Sequence, residues 1–330
     1  MRVRRLPLLV VATASCLAVH AAACTGDDPV FAGDVDGAAP DGQTTLDATN
    51  DDSSISSADG AVDAGPPSCF RAPFSTVAPQ PELSRAGDDI SISFSPDELT
   101  VYVASTNDGG PKDIYSATRQ PGGTFPTLTP YALLNTTTDD FGVTVNGSNT
   151  VLVFSSPRAP AVKTGLFFLK RSTSSMPFTG SPALVTSLDS SEDDSLPSFA
   201  NGELYFSRGM TPLFRIMRAT QAGPGTFGDA GEVTELGKSG TSSLGVVLSG
   251  DGLIVYFGSD REGSFDIWTA SRAKDTDPFG AVRKLDDPGL NTAALELPSW
   301  MSSDGCRLYF ISNRMSGVNS DVWLATRTPQ

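Results

Sequence analysis

Histidine is almost absent from this chain: its single copy among 330 residues is His20, inside a leading stretch whose composition marks it for removal. Everything that follows lacks an imidazole, which excludes Ser-His-Asp and Cys-His nucleophilic sites and any histidine-ligated zinc. Basic charge is also short, with 23 Lys and Arg against 38 Asp and Glu and a net charge of −15. Nucleic acid is therefore not an expected partner, because neutralising phosphates takes a basic face. Past residue 23 no run approaches the roughly 18 apolar residues that a membrane span needs. No Gly-x-Ser-x-Gly elbow backed by histidine and no glycine-rich phosphate loop closed by Lys-Ser/Thr is present. Cysteine is scarce too, limited to Cys16, Cys24, Cys69 and Cys306.

The chain opens on targeting information. Arg2, Arg4 and Arg5 form a basic start, Leu6 to Val19 an apolar run, and Ala21, Ala22 and Ala23 a small-residue cleavage site, so residues 1–23 read as a signal peptide for export. Cys24 follows directly, in a context that resembles a bacterial lipobox and implies a lipid anchor in the envelope, at the periplasm or cell surface. Ala21 stands where that pattern prefers Leu, and Ala21-x-Ala23 also suits an ordinary signal peptidase, which would leave the protein freely secreted. Cys16 is a weaker lipobox match.

Residues 24–67 read as an acidic, disordered tether. From Thr25 to Pro67 there are ten Asp, no Lys or Arg and almost no large apolar residue, too little to offset ordering entropy. Its Asp-rich runs lack the alternate-position Asp, central Gly and twelfth-position Glu of an EF-hand loop.

From residue 68 the chain repeats with a period near fifty. Five third-strand motifs end at Arg119, Arg171, Gln221, Arg272 and Arg327, spaced by 52, 50, 51 and 55 residues. Second strands recur at TVYVAST, TVLVFSS, ELYFSR, LIVYFGSD and RLYFISN. Each follows a turn of Asp, Asn or Gly suited to a tight hairpin, such as Asn201-Gly202, Asp251-Gly252 and Asp304-Gly305. A first strand precedes each turn. Phe125, Phe178, Phe227 and Phe279 mark the way to a short fourth strand. The last repeat ends after its third strand, and Phe74 to Leu83 supplies the missing fourth, with Phe74 in register 51 residues before Phe125. The expected fold is therefore all-β: a five-bladed β-propeller of four antiparallel strands per blade, closed by the N-terminal strand completing the last blade. Its blades fall at about 88–135, 139–188, 193–237, 241–290 and 294–330 plus 74–83, and since one blade cannot bury both faces, 68–330 is one domain.

The Ser95-Pro96-Asp97 turn, the Ser-x-Asp-Gly turn at Ser302, the LYF second strands, the SDR and SNR triplets at Ser259–Arg261 and Ser312–Arg314, and the DIW and DVW third strands resemble the WD-repeat-like propeller repeat of TolB-type bacterial proteins. Blades 2 and 3 depart from it, with Gly165 and Arg215 where the others have Asp113, Asp266 and Asp321. The resemblance implies a propeller that binds a protein or envelope partner. It implies no chemistry, because propellers host unrelated activities.

Carboxylates are the remaining chemical resource. Asp88-Asp89, Asp139-Asp140, Asp193-Asp194 and Glu296 stand at the entry to the innermost strands, with Thr241, Ser242 and Ser243 in the corresponding place of blade 4. Asp89, Asp140, Asp194 and Glu296 would then form an acidic rim at one mouth of the central channel. Three readings stay open for it: ties that cap blade-entry loops, a calcium or polar-ligand site of hard oxygens, and a glycoside-hydrolysing pair of carboxylates. Asp113, Asp266 and Asp321 are expected to hold the preceding loop or to pair with Arg261 or Arg314. Tyr115, Trp268 and Trp323 should pack between blades. Cys69 and Cys306 fall at the same edge of the closing blade and are expected to bond. Taken together the residues favour non-enzymatic envelope binding without a cofactor, with a carbohydrate-directed protein, lectin or glycosidase, as the alternative.

Overall fold

The computed structural model describes residues 69–70, 72–106 and 109–329. The signal peptide at 1–23, Cys24 and the tether at 24–67 lie outside the described residues.

Five antiparallel sheets form a β-propeller. Blade 1 consists of Asp89–Phe94, Thr100–Thr106, Lys112–Thr118 and Thr129–Pro130, and blade 2 of Phe141–Val145, Val151–Ser156, Gly165–Lys170 and Ala183–Leu184. Blade 3 has Asp193–Ala200, Glu203–Met210, Leu213–Gly223 and Gly231–Glu232, with an added strand at Thr226–Phe227. Blade 4 has Ser243–Leu248, Ile254–Ser259, Asp266–Ser271 and Arg283–Lys284. Blade 5 has Glu296–Met301, Arg307–Ser312 and Asp321–Thr326, and its outer strand is Thr76–Pro79, paired from Thr76 opposite Thr326 to Pro79 opposite Trp323.

The hairpins form because their turn residues complete them. In blades 1, 4 and 5 a serine hydroxyl donates to an aspartate two residues on, as Ser95 to Asp97, Ser249 to Asp251 and Ser302 to Asp304, each at 2.5 Å. The same hydroxyls accept the amides of Thr100, Ile254 and Arg307, which starts the second strand. Blade 2 reaches the same end with Asn146, whose side-chain oxygen accepts the Thr150 and Val151 amides.

The core is divided among the blade interfaces. Each of five hydrophobic clusters joins two neighbouring blades, as where Trp323 of blade 5 packs with Tyr256 and Ile267 of blade 4. Trp268 packs with Tyr205 and Ile216 of blade 3, and Tyr115 with Tyr309 and Val322 of blade 5. The matched aromatics of the third strands thus interlock adjacent sheets. Cys69 and Cys306 are bonded, with Cα atoms 4.9 Å apart across 237 residues of sequence.

The centre of the ring is shut. Every first strand carries a register shift, and Ile92, Gly142, Leu196, Gly245 and Pro298 are among the residues enclosing a void of about 20 Å³, with a second of about 70 Å³ lined by Phe94, Val145, Phe199, Leu248 and Trp300. Gly142 and Gly245 have φ of 64° there, and a Cβ on Gly142 would lie 3.1 Å from the Leu196 Cα, so glycine is what allows the closest approach. Hydrogen bonds run from blade to blade around this plug: Gly142 N to Ser91 Oγ, Phe199 N to Thr144 Oγ1, Gly245 N to Ser207 Oγ, and Ser299 Oγ to Ile92 O.

Candidate functional site

The four carboxylates expected at an open rim are each inside a blade. Asp89, Asp140, Asp194 and Glu296 are 1% exposed or less. The structure does not bring them together. The reason is local: each stands before the shifted register of its first strand, and in blades 2, 3 and 5 a guanidinium in or just past the second strand takes up the carboxylate. Arg158 binds Asp140 at 2.5 Å, Arg208 binds Asp194 at 2.6 Å, and Arg314 binds Glu296 at 3.1 Å. The same arginines donate to the carbonyls of Leu134, Leu188 and Leu290, which belong to the loop arriving from the previous blade. Asp140 and Glu296 also accept the amides and hydroxyls of Thr136 and Thr292. These groups are ties that fasten one blade to the next. Among the described residues no three His, Cys, Asp or Glu side chains are grouped to hold a metal.

These guanidinium groups, and Arg261 in blade 4, also lie over aromatic rings of their own blades: Arg158 over Phe154 and Phe167, Arg208 over Phe206, Arg261 over Phe257 and Trp268, Arg314 over Phe310 and Trp323. Blade 4 lacks the carboxylate, and there Arg261 turns to Leu236 O, Ser243 and Ser259. Arg261 and Arg314 therefore do not pair with Asp266 and Asp321; Asp266 binds Lys284 at 2.7 Å. A second set of arginines closes the opposite end. Arg119, Arg171, Arg272 and Arg327, the last residues of the third-strand motifs, lie over Phe125, Phe178, Phe279 and Phe74 and donate to turn carbonyls. Sequence reasoning gave these arginines no role, although their recurrence with the period was the signal that could have found them.

Blade 1 is the exception. Asp89 has no ion-pair partner among the described residues; the Arg85 amide approaches it, while the Arg85 guanidinium lies over Tyr115, 3.6 Å from the ring centre. Burial pushes the Asp89 carboxyl up from 3.8 to about 7, with hydrogen bonds from Ser105 and Arg85 opposing and the nearby Asp321 adding to it. A carboxyl raised in the folded state holds its proton there more tightly than in the unfolded chain. Its contribution to stability is complete below the unfolded value near 3.8 and is lost as pH rises through about 7. The wild type is expected to lose up to about 4 kcal/mol between those limits relative to Asp89→Asn. Urea titrations of both proteins from pH 5 to pH 8 check this, and parallel stability curves would show that Asp89 stays ionised.

Two surfaces bear on binding. On the face of the first hairpin turns, all five blades line a funnel of about 510 Å³, with Phe94, Phe199 and Trp300 among its walls and Glu98, Asn146, Asn201 and Gln221 among its polar groups. On the opposite face, the connections between second and third strands carry Val162, Met210, Leu213, Met315 and Val318, all at least half exposed, and Val318 is 80% exposed. These apolar side chains therefore stand at the tips of blades 2, 3 and 5.

No protein-family model and no curated protein matches the chain. Solved structures with a similar fold include TolB from Acinetobacter baumannii, at 15% identity and a TM-score of 0.45, covering 74% of this chain and 55% of that one. A glycosyl hydrolase from Bacteroides ovatus is similar at 11% identity and a TM-score of 0.45, covering 78% of this chain and 94% of that one. The five-bladed propeller expected from the sequence repeat is the observed fold; activity and partner do not transfer at such identities.

Proposed function

We propose that this protein is a non-enzymatic binding module of the cell envelope, a closed propeller that holds a protein partner against the face formed by its second-to-third-strand connections. The observation that carries this reading is the placement of Val162, Met210, Leu213, Met315 and Val318 at the tips of that face. Large apolar side chains at loop tips cost solubility and add nothing to the core, whereas a partner that covers them gains their burial. Three of the four carboxylates that a hydrolase would use are committed to arginines inside the blades and the fourth, Asp89, is buried, which favours binding over glycoside cleavage.

An exported location with Cys24 as lipid anchor fits this reading. What supports export is the Cys69–Cys306 bond, which persists in an oxidising compartment. The residues before the propeller then serve as a charged spacer between membrane and ring.

The test is to replace Met210, Leu213, Met315 and Val318 by Ser in one variant. Exposed substitutions of this kind change stability by about 0.5 kcal/mol or less each, so the melting temperature is expected to stay within a few degrees. Co-purification of the native envelope partner with the tagged protein should fall at least tenfold. Undiminished recovery of the same partner would remove this face from the account.

A further inference from the structure

The geometry points to a second, separate site: we infer that the 510 Å³ funnel on the hairpin-turn face binds a neutral oligosaccharide and does not cleave it. The size lies within the range of sites that enclose small ligands. Its character is mixed in a specific way. Trp300 is half-buried, with its ring centre 4.7 Å from that of Phe94 and 5.9 Å from that of Tyr309, so it is held by its neighbours and keeps part of its surface toward the funnel. Phe199, also half-buried, is fixed from behind by stacking on Phe227. Rigid aromatic surface at a cavity wall suits the C–H face of a sugar ring, which is apolar although its edge is not.

The edge of such a ring needs hydrogen-bonding groups, and the funnel has amides with unspent capacity. The Asn146 side-chain oxygen is used by the Thr150 and Val151 amides, which leaves its NH₂ group. Asn201 donates to Asp251 O, which leaves its side-chain oxygen. The Gln221 amide has no side-chain hydrogen bond among the described residues and lines the same cavity. Donors and acceptors of both kinds thus surround the aromatic surface, as a polyhydroxylated ligand requires.

Charge selects a neutral ligand. Glu98 is the one ionisable side chain of the funnel lining, and Arg307 holds both its oxygens at 2.7 Å. A cationic ligand would have to displace that guanidinium, and an anionic one would face a carboxylate. Hydrolysis is not inferred, because it needs two carboxylates across the scissile bond and the funnel offers only the engaged Glu98.

The reporter is built in. Of the three tryptophans, Trp268 and Trp323 are buried between blades, which leaves Trp300 to sense a ligand in the funnel. Full-length exported protein is titrated with neutral oligomers of glucose, xylose, mannose and N-acetylglucosamine while tryptophan emission is followed, with a sialylated and a uronic-acid oligomer as charged controls. At least one neutral oligomer is expected to shift the emission saturably, and calorimetry should show at least tenfold weaker binding to Trp300→Ala. Trp300→Phe, which keeps a ring, should lose less, and Gln221→Ala should weaken binding several-fold at an unchanged melting temperature, which keeps the test valid if Trp300→Ala misfolds. No saturable shift with any neutral oligomer, binding of the charged oligomers alone, or binding indifferent to both Trp300→Phe and Gln221→Ala would overturn the inference.

Discussion

Deleting residues 69–84 is expected to abolish cooperative folding of the whole ring. The deletion strips the outer strand from blade 5 and leaves the Asp321–Thr326 edge unpaired. It also removes Phe74 and Leu83, both nearly inaccessible, from two different core clusters, at about 3–5 and 2–5 kcal/mol for such losses. Arg327 loses the ring beneath it and the Phe70 and Ala72 carbonyls beside it. The Cys69–Cys306 bond goes as well, worth about 5 kcal/mol on the loop-entropy model for so long a loop. Against a total stability of about 5–15 kcal/mol, these losses leave no folded state to populate. Circular dichroism melts and dye binding to exposed apolar surface read the outcome. Because the two strands are antiparallel, the same segment placed after Gln330 on a short turn should restore a sharp transition. A deleted protein that melts cooperatively within a few degrees of the wild type would contradict the closure.

The second large effect concerns the buried ion pairs. Arg158→Met is expected to cost about 3–5 kcal/mol, because it strands the Asp140 carboxylate without its counter-charge in a place no water reaches. The double variant Arg158→Met with Asp140→Leu should recover most of that loss, since a buried pair returns little over apolar groups of similar size. Burial holds the Asp194 carboxyl above its ordinary range even with Arg208 beside it, which shows desolvation outweighing the pair. Denaturant titrations of the wild type, Arg158→Met, Asp140→Leu and the double variant give the coupling directly. Equal destabilisation by the single and double variants would mean that Asp140 is solvated and free for other work.

The difference between the expected rim and the observed ties shows what a repeat pattern can and cannot convey. Period, turn chemistry and the in-register Phe74 are one-dimensional signals, so the five blades and the missing outer strand could be read from spacing alone. The direction of a side chain at a strand entry is not such a signal, since one extra residue in a strand reverses which face follows. The register shifts beyond Asp89, Phe141, Ser195, Leu244 and Pro298 do this in every blade. Glycine at 142 and 245 hinted at the shift, whereas Leu196, with φ of 50°, gave no hint. The arginines were visible as Arg158, Arg261 and Arg314, each two residues past a second-strand serine, and as Arg208, one residue past Ser207. Their targets were not, because the Leu134, Leu188, Leu236 and Leu290 carbonyls come from the previous blade's exit loop. Blade 3 also departs in length: its third strand runs from Leu213 to Gly223 and folds back on Thr226–Phe227. The funnel and the apolar tips went unread because each is assembled from residues scattered over several repeats.

The claim on which the functional account rests is that binding is made by the face carrying the apolar tips. Its most direct test places a photo-crosslinking amino acid singly at Val162, Met210 and Val318, and at Ser148, Ser303 and Met176 on the hairpin-turn side, in the exported protein in its native cells. The account predicts one discrete protein adduct from the first three positions and none from the other three. Adducts confined to the hairpin-turn side, or absent from all six positions, would contradict it.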